Sequence, residues 1–320
     1  MNTRLLLNPE RSQRKSCYRY AGAVIFVISI LTSGAAWADD SSSWLVLAPQ
    51  GPVADAENTI MIIDVAIMLG IVVPTITMAV LFAWRYRATN PRGKYSPHWA
   101  RSWIIEVGMW GIPFITVIGL SYLAVWGTMY TDIYSPNVLK NSDKPLDINV
   151  VSLDWKWLFI YPEQNIATVG TVHIPVNRRV RFRLTSATVS NIFFIPQLAG
   201  QMMAMPGMRT QAVMAASHPG TYPGFSSNFS GAGFSWMRFS TIAVSEKGFD
   251  RWIHKVQQSP RKLTHETFEN LAQPSINTEN KVRFYSSVTP HLFMYVIKQV
   301  NGGKVYPSGL FSGKAMAADG

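Results

Sequence analysis

A chain of 320 residues has room for one large domain or two ordinary ones, and 48% hydrophobic against 15% charged residues is too apolar for a purely soluble protein, so membrane-spanning segments are expected. The formal net charge of +11 does not point to nucleic acid. The bases are scattered or gather beside hydrophobic runs, and no basic stripe alternates with aromatics. Cys17 is the single cysteine, which rules out a disulfide framework within the chain.

Residues 1–38 join a basic start (Arg4, Arg11, Arg14, Lys15, Arg19) to an apolar run from Ala21 to Leu31 and then to small residues ending Ala36-Trp37-Ala38. This is the pattern of a cleaved secretory signal, with an uncleaved first membrane helix as the alternative. Cleavage after Ala38 leaves a mature chain without cysteine. Residues 39–59 carry Asp39, Asp40, Asp55 and Glu57, no Lys or Arg, and the stretch APQGP. They read as an exported, mostly irregular arm.

Two apolar runs follow, at about 60–84 and 104–126, each long enough at 1.5 Å per residue to cross a hydrocarbon core of about 30 Å. Pro74 and Pro113 lie inside them, Asp64 near the expected first turn of one and Glu106 at the start of the other. The connecting segment 85–103 holds Arg85, Arg87, Arg92, Lys94 and Arg101 and no acid, which assigns it to the cytoplasm. The pair is therefore a transmembrane hairpin whose outer ends, and everything after about Tyr130, face the periplasm.

From residue 146 to 246 the pattern becomes short β-rich runs between turn residues, with alternation in Val180-Arg181-Phe182-Arg183-Leu184, and it predicts a sandwich or barrel. Residues 247–300 turn helical: FDRWIHKVQQ, then THETFENLA with Thr264 as N-cap, then PHLFMYVIKQV. The tail 301–320 is Gly-rich and is expected to be disordered. The fold class expected is membrane-anchored α+β, a two-helix hairpin followed by a periplasmic β-sandwich and a helical C-terminal extension.

Few residues in this chain suit chemistry of their own. The histidines His98, His173, His218, His254, His265 and His291 include no pair at the spacing of a helix-borne metal site, and no C-x-x-C, P-loop or G-x-S-x-G occurs. Met202, Met203, Met205 and Met208 could ligate Cu(I), but around Ala204-Met205-Pro206-Gly207 between strands adaptable packing is the favoured reading. Glu106 stands out because a carboxylate inside a hydrophobic span is costly and often belongs to a proton relay; the competing reading is an interfacial group snorkelling or pairing with Arg101. Asp64 reads as an interfacial or helix-start residue.

The stretch Tyr222–Met237, YPGFSSNFSGAGFSWM, and Asn191 in SNIFFIP carry a resemblance to a known family. Ser226, Ser230, Phe234 and Met237 fall at the spacing that cytochrome c oxidase subunit II fills with Cys, Cys, His and Met around a dinuclear copper, and Asn191 stands where its other histidine stands. Asn228 lies in the same loop. With FAWRYRA, KYSPHW, VVSLDWKWLFIYPEQNIATV and MAMPGM in the same order, residues from about Trp44 to Val300 resemble subunit II of the bo-type haem-copper ubiquinol oxidases. Soft thiolates are what hold such a copper pair together, and a mature chain without cysteine has none.

The resemblance implies a cupredoxin-like periplasmic domain with no redox centre in this chain, an inner-membrane location, and a role as the non-catalytic subunit II of a proton-pumping quinol:oxygen oxidoreductase. Haems, copper and quinol are expected in the partner subunit I. Further small membrane subunits and membrane lipid are the other expected partners, and no nucleic acid is. Asn191, Ser226, Asn228, Ser230, Phe234 and Met237 become vestigial copper-site positions rather than ligands. Glu106 matches the subunit II glutamate at a proton-uptake entrance. Trp155 matches the tryptophan through which electrons enter in copper-bearing relatives; with no metal behind it, packing is the reading for Trp155 and Trp157. TSGAAWADD lacks the lipid-anchored cysteine of many bacterial members, so ordinary cleavage without an anchor is expected. The alternative function is a membrane-tethered cupredoxin-like binding or assembly protein.

Overall fold

The computed structural model describes residues 46–87, 90, 101–132, 134, 136–139, 144–276 and 281–308. The expected signal at 1–38, most of the 85–103 loop and the tail beyond 308 lie outside the described residues.

Helix α1 runs Pro52–Arg85 and α2 runs Trp103–Tyr130, both long and apolar enough to cross a membrane. Apolar side chains project outward on both, Trp84, Ile104 and Trp110 among them, so the hairpin offers its surface to lipid or to other membrane helices. The helix begins at Pro52 and not near Ile60, which corrects the expected irregular arm over its last residues. Pro at the first helical position needs no hydrogen-bond partner for its nitrogen and has a helical φ already. Asp64 consequently sits well inside α1, not in its first turn.

The chain just before α1 is clamped to the exported domain. Gln50 N donates to Gln197 O at 2.8 Å, Ser217 N to Gln50 O at 2.8 Å, and Gly200 N to Glu57 Oε1 at 3.2 Å. At Gly51 the backbone comes so close that an added Cβ would lie 2.2 Å from Ala215 O, a position only glycine fits. Val53 is fully buried in the same joint.

The exported domain is a two-sheet sandwich. Its strands are β1 (Leu146–Leu153), β2 (Lys156–Tyr161), β3 (Ile166–Val169), β4 (Thr171–Pro175), β5 (Val180–Ser186), β6 (Asn191–Ile195), β7 (Ala199–Ala204), β8 (Thr210–Met214), β9 (Gly220–Ser226) and β10 (Arg238–Val244). After them come α3 (Glu246–Gln257), β11 (Lys262–Leu263), α4 (His265–Leu271), β12 (Arg283–Tyr285), β13 (Ser287–Val288) and α5 (Leu292–Asn301). One sheet has the order β12-β3-β2-β1-β5-β8 and the other β4-β10-β9-β6-β7. β1 pairs parallel to β5 and β10 parallel to β4, the remaining neighbours within the two sheets antiparallel.

Burial follows from this layering. On β2 the side chains alternate as strand geometry requires: Trp157, Phe159 and Tyr161 enter the core between the sheets, where Phe159 meets Phe239 at 5.2 Å and Trp157 meets Phe193 at 5.4 Å. Leu158 and Ile160 point the other way and would face water in a simple sandwich. They are instead covered by Leu263, Phe268, Leu271, Leu292, Phe293, Val296 and Ile297 of the C-terminal extension. Burying each side chain of this size contributes roughly 1.5–3 kcal/mol, so the extension is a third layer of the domain and not an appendage.

Two expectations about this region are refined. The extension is not purely helical, because β12 adds an edge strand beside β3. The start of the expected disordered tail is ordered: Tyr306 is buried against Phe268, and Lys304 pairs with Glu269. Thr264 is the N-cap of α4, its Oγ1 accepting from Thr267 N at 3.2 Å.

Candidate functional site

Strand β6 and the end of β9 bring the singled-out loop against the core. Phe193 pairs with Ser226 in the ladder, and the chain turns through 227–237 before entering β10. Asn191 is fully buried, and Ser226, Ser230 and Met237 are nearly so. Ser226 Oγ donates to Asn191 Oδ1 at 3.1 Å, and Asn191 Nδ2 donates to Ser152 Oγ at 2.8 Å. Asn228 Nδ2 donates to Ser190 O at 2.8 Å. The positions separated in sequence by 35 residues thus form one polar network.

The loop is also pinned from below by Trp155. This residue occupies the tight turn between β1 and β2 with φ 61°, a left-handed conformation that costs a non-glycine residue about 1–3 kcal/mol. Its indole Nε1 donates to Ser230 O at 3.0 Å, and Gly233 lies so close over the ring that a Cβ there would stand 2.2 Å from Trp155 Cδ2. Trp155 and Trp157 are both buried in the core cluster. Phe234 does not fill the space between Asn191 and Ser226; it is half-buried and leans on the exposed Phe229 at 5.7 Å between ring centres. Hydrogen bonds of Asn191 occupy the interior there.

Ser152 is the residue that sequence reasoning missed. It follows Val150 and Val151 in β1, where a buried hydroxyl needs a partner, and a serine between buried apolar neighbours was the available signal. The hydroxyl of Ser230 is buried without a hydrogen-bond partner among the described residues. Met202 is buried while Met203 and Met208 are exposed, so the methionines do not converge on one point.

A dinuclear copper does not fit this donor set. The Ser226 hydroxyl is a neutral, hard donor already committed to Asn191, a phenyl ring donates nothing, and bridging thiolates are absent at both serine positions. Among the described residues no group of three or more His, Cys, Asp or Glu could hold a metal ion.

The membrane hairpin holds the other candidates. Glu106 lies one turn into α2, and its Oε2 accepts from Arg101 Nε at 3.0 Å. Asp64 lies about 32 Å along α1 from Arg85, a distance comparable to the thickness of a hydrocarbon core. It lines an open cleft of about 360 Å³ with Glu57, Ile60, Leu123 and Thr128.

Comparison with known proteins places the whole arrangement. Residues 146–244 match the model of the cytochrome c oxidase subunit II periplasmic domain, and residues 257–304 match that of the COX aromatic-rich motif. The cytochrome bo(3) ubiquinol oxidase subunit 2 of Pseudomonas putida is 42% identical over 289 residues, covering 90% of this chain and 88% of the relative. This chain belongs to the ubiquinol oxidase subunit 2 family. The ubiquinol oxidase subunit 2 of Acetobacter aceti is 44% identical over 81% of this chain and 84% of its own length. Among solved structures, the periplasmic domain of cytochrome oxidase subunit II from Bradyrhizobium japonicum aligns over 35% of this chain and 94% of its own, with 22% identity and a TM-score of 0.34. Family membership accounts for the third layer on the sandwich, since the aromatic-rich match spans the C-terminal elements from the end of α3 through α5.

Proposed function

We infer that the chain is subunit II of a haem-copper terminal oxidase that takes electrons from a quinol, and that it carries no redox centre itself. The observation behind this is the combination of a subunit 2 sequence over nine-tenths of the chain with a copper loop whose thiolate positions are buried serines, Ser226 among them hydrogen-bonded to Asn191. A quinol delivers electrons within the membrane, so a relay from a soluble donor has no task here. The haems, the oxygen-reducing copper and the quinol site belong to subunit I in this reading, and the apolar hairpin seats against that subunit and lipid in the inner membrane. The sandwich covers the periplasmic side, and further small membrane subunits complete the assembly.

Glu106 contributes the entrance for protons taken up from the cytoplasm. Its support is a carboxylate one turn inside a membrane helix, next to a loop whose charge assigns it to the cytoplasm. Purification of the tagged chain from its own membranes is the test. Haem and quinol-driven oxygen consumption should accompany it; a chain that emerges without a haem-bearing partner is instead a tethered binding or assembly protein. In the assembled complex Glu106→Gln should slow turnover and Glu106→Asp should be milder. Unchanged turnover in both removes the proton role.

A further inference from the structure

The Arg101–Glu106 contact joins the last loop residues to the first turn of α2. Ser102, the N-cap, makes no side-chain cap hydrogen bond, and Glu106 N donates to Ser102 O at 3.0 Å as ordinary helix backbone. The junction is therefore not held by a capping side chain. It is spanned by the guanidinium of Arg101, which approaches through Nε at 3.0 Å and binds one carboxylate oxygen only. Among the described residues Glu106 Oε1 takes no hydrogen bond. A glutamate at the start of a helix, with its side chain 38% exposed, otherwise has several rotamers of similar energy.

We propose that Arg101 is a positioning residue for Glu106: it holds Oε2, fixes the rotamer, and leaves Oε1 as the oxygen that receives a proton from water. This rests on the reading of Glu106 as a proton-uptake residue. The Arg101 side chain is 79% exposed, and exposed ion pairs bias conformations weakly, so the effect is a modulation and not an on–off switch.

The test compares Arg101→Gln, Arg101→Lys, Glu106→Gln and the double variant in the purified oxidase complex, measuring kcat and KM for quinol-driven oxygen consumption. Arg101→Gln is expected to lower kcat by about two- to fivefold with KM for quinol unchanged. Arg101→Lys, which keeps the charge, should recover part of the loss. The double variant should match Glu106→Gln alone, because one residue acts through the other. Wild-type kcat in Arg101→Gln alongside a slow Glu106→Gln overturns the inference and leaves the proton role standing. Wild-type kcat in both overturns the proton role itself. Losses that multiply in the double variant, or an Arg101→Gln chain that fails to assemble with haem, overturn the inference by making Arg101 an independent or merely structural residue.

Discussion

Ser226 donates its hydroxyl to the side-chain oxygen of Asn191 at 3.1 Å, joining two of the positions whose spacing resembles a copper-binding loop. Asn191 in turn donates to Ser152 at 2.8 Å, so a buried amide is satisfied from two strands at once. The loop is thereby tied to the sandwich by side-chain hydrogen bonds.

Replacing Asn191 by Ala leaves the buried Ser152 and Ser226 hydroxyls without this partner. A loss of about 1–3 kcal/mol is expected from stranded buried polar groups. Urea unfolding of the full chain in detergent, followed by near-ultraviolet circular dichroism, measures it. Adding Ser226→Ala should cost less than the sum of the two single losses, because both changes remove the same Ser226–Asn191 hydrogen bond.

Gly233→Ala places a methyl 2.2 Å from Trp155 Cδ2, far inside contact distance. The indole cannot yield easily, since Nε1 is held by Ser230 O at 3.0 Å. Overpacking of this kind costs about 1–3 kcal/mol. A lower thermal midpoint together with a changed near-ultraviolet tryptophan signal is expected; an unchanged melt would show that the loop can lift away freely.

Copper binding should be recoverable by chemistry. Ser226→Cys, Ser230→Cys, Asn191→His and Phe234→His together, with Asn228→Glu added, place two thiolates and two imidazoles beside Met237. Copper uptake with visible thiolate-to-metal absorption is the expected readout. A variant that folds and takes up no copper would show that these positions do not converge as proposed, and the outward lean of Phe234 toward Phe229 makes position 234 the critical one.

His173 links stability to pH. Burial, and secondarily the charge of Lys255, lower its imidazole from 6.5 to about 4, while its ring stacks on Trp252 at 4.1 Å. The folded pKa is below the unfolded one, so between these values the unfolded chain binds the proton that the folded chain refuses. Its contribution is fully present above pH 6.5 and is lost as pH falls toward 4, with a slope of up to about 1.4 kcal/mol per unit. Unfolding measured from pH 7 to 4.5 should show this slope, and His173→Phe, which keeps an aromatic ring for the stack, should flatten it.

Much of the molecule is readable from residue order because the signals are local. The length of each apolar run gives the long apolar helices, alternation gives strands such as Val180–Ser186, and Thr264 marks the start of a helix. The missing cysteines decide against bridging thiolates without any coordinates. What required the tertiary structure depends on contacts between distant residues. β2 is buried on both faces because helices more than a hundred residues later cover Leu158 and Ile160. α1 starts at Pro52 because the preceding chain hydrogen-bonds to Gln197 and Ser217, and Tyr306 is ordered because it rests on Phe268. The loop at 222–237 divides the same way. Its spacing carries the resemblance to a copper loop; only the folding of β1, β6 and β9 onto one another brings Ser152, Asn191 and Ser226 together. Packing of distant residues, which periodicity does not encode, decided that hydrogen bonds and not Phe234 occupy the interior.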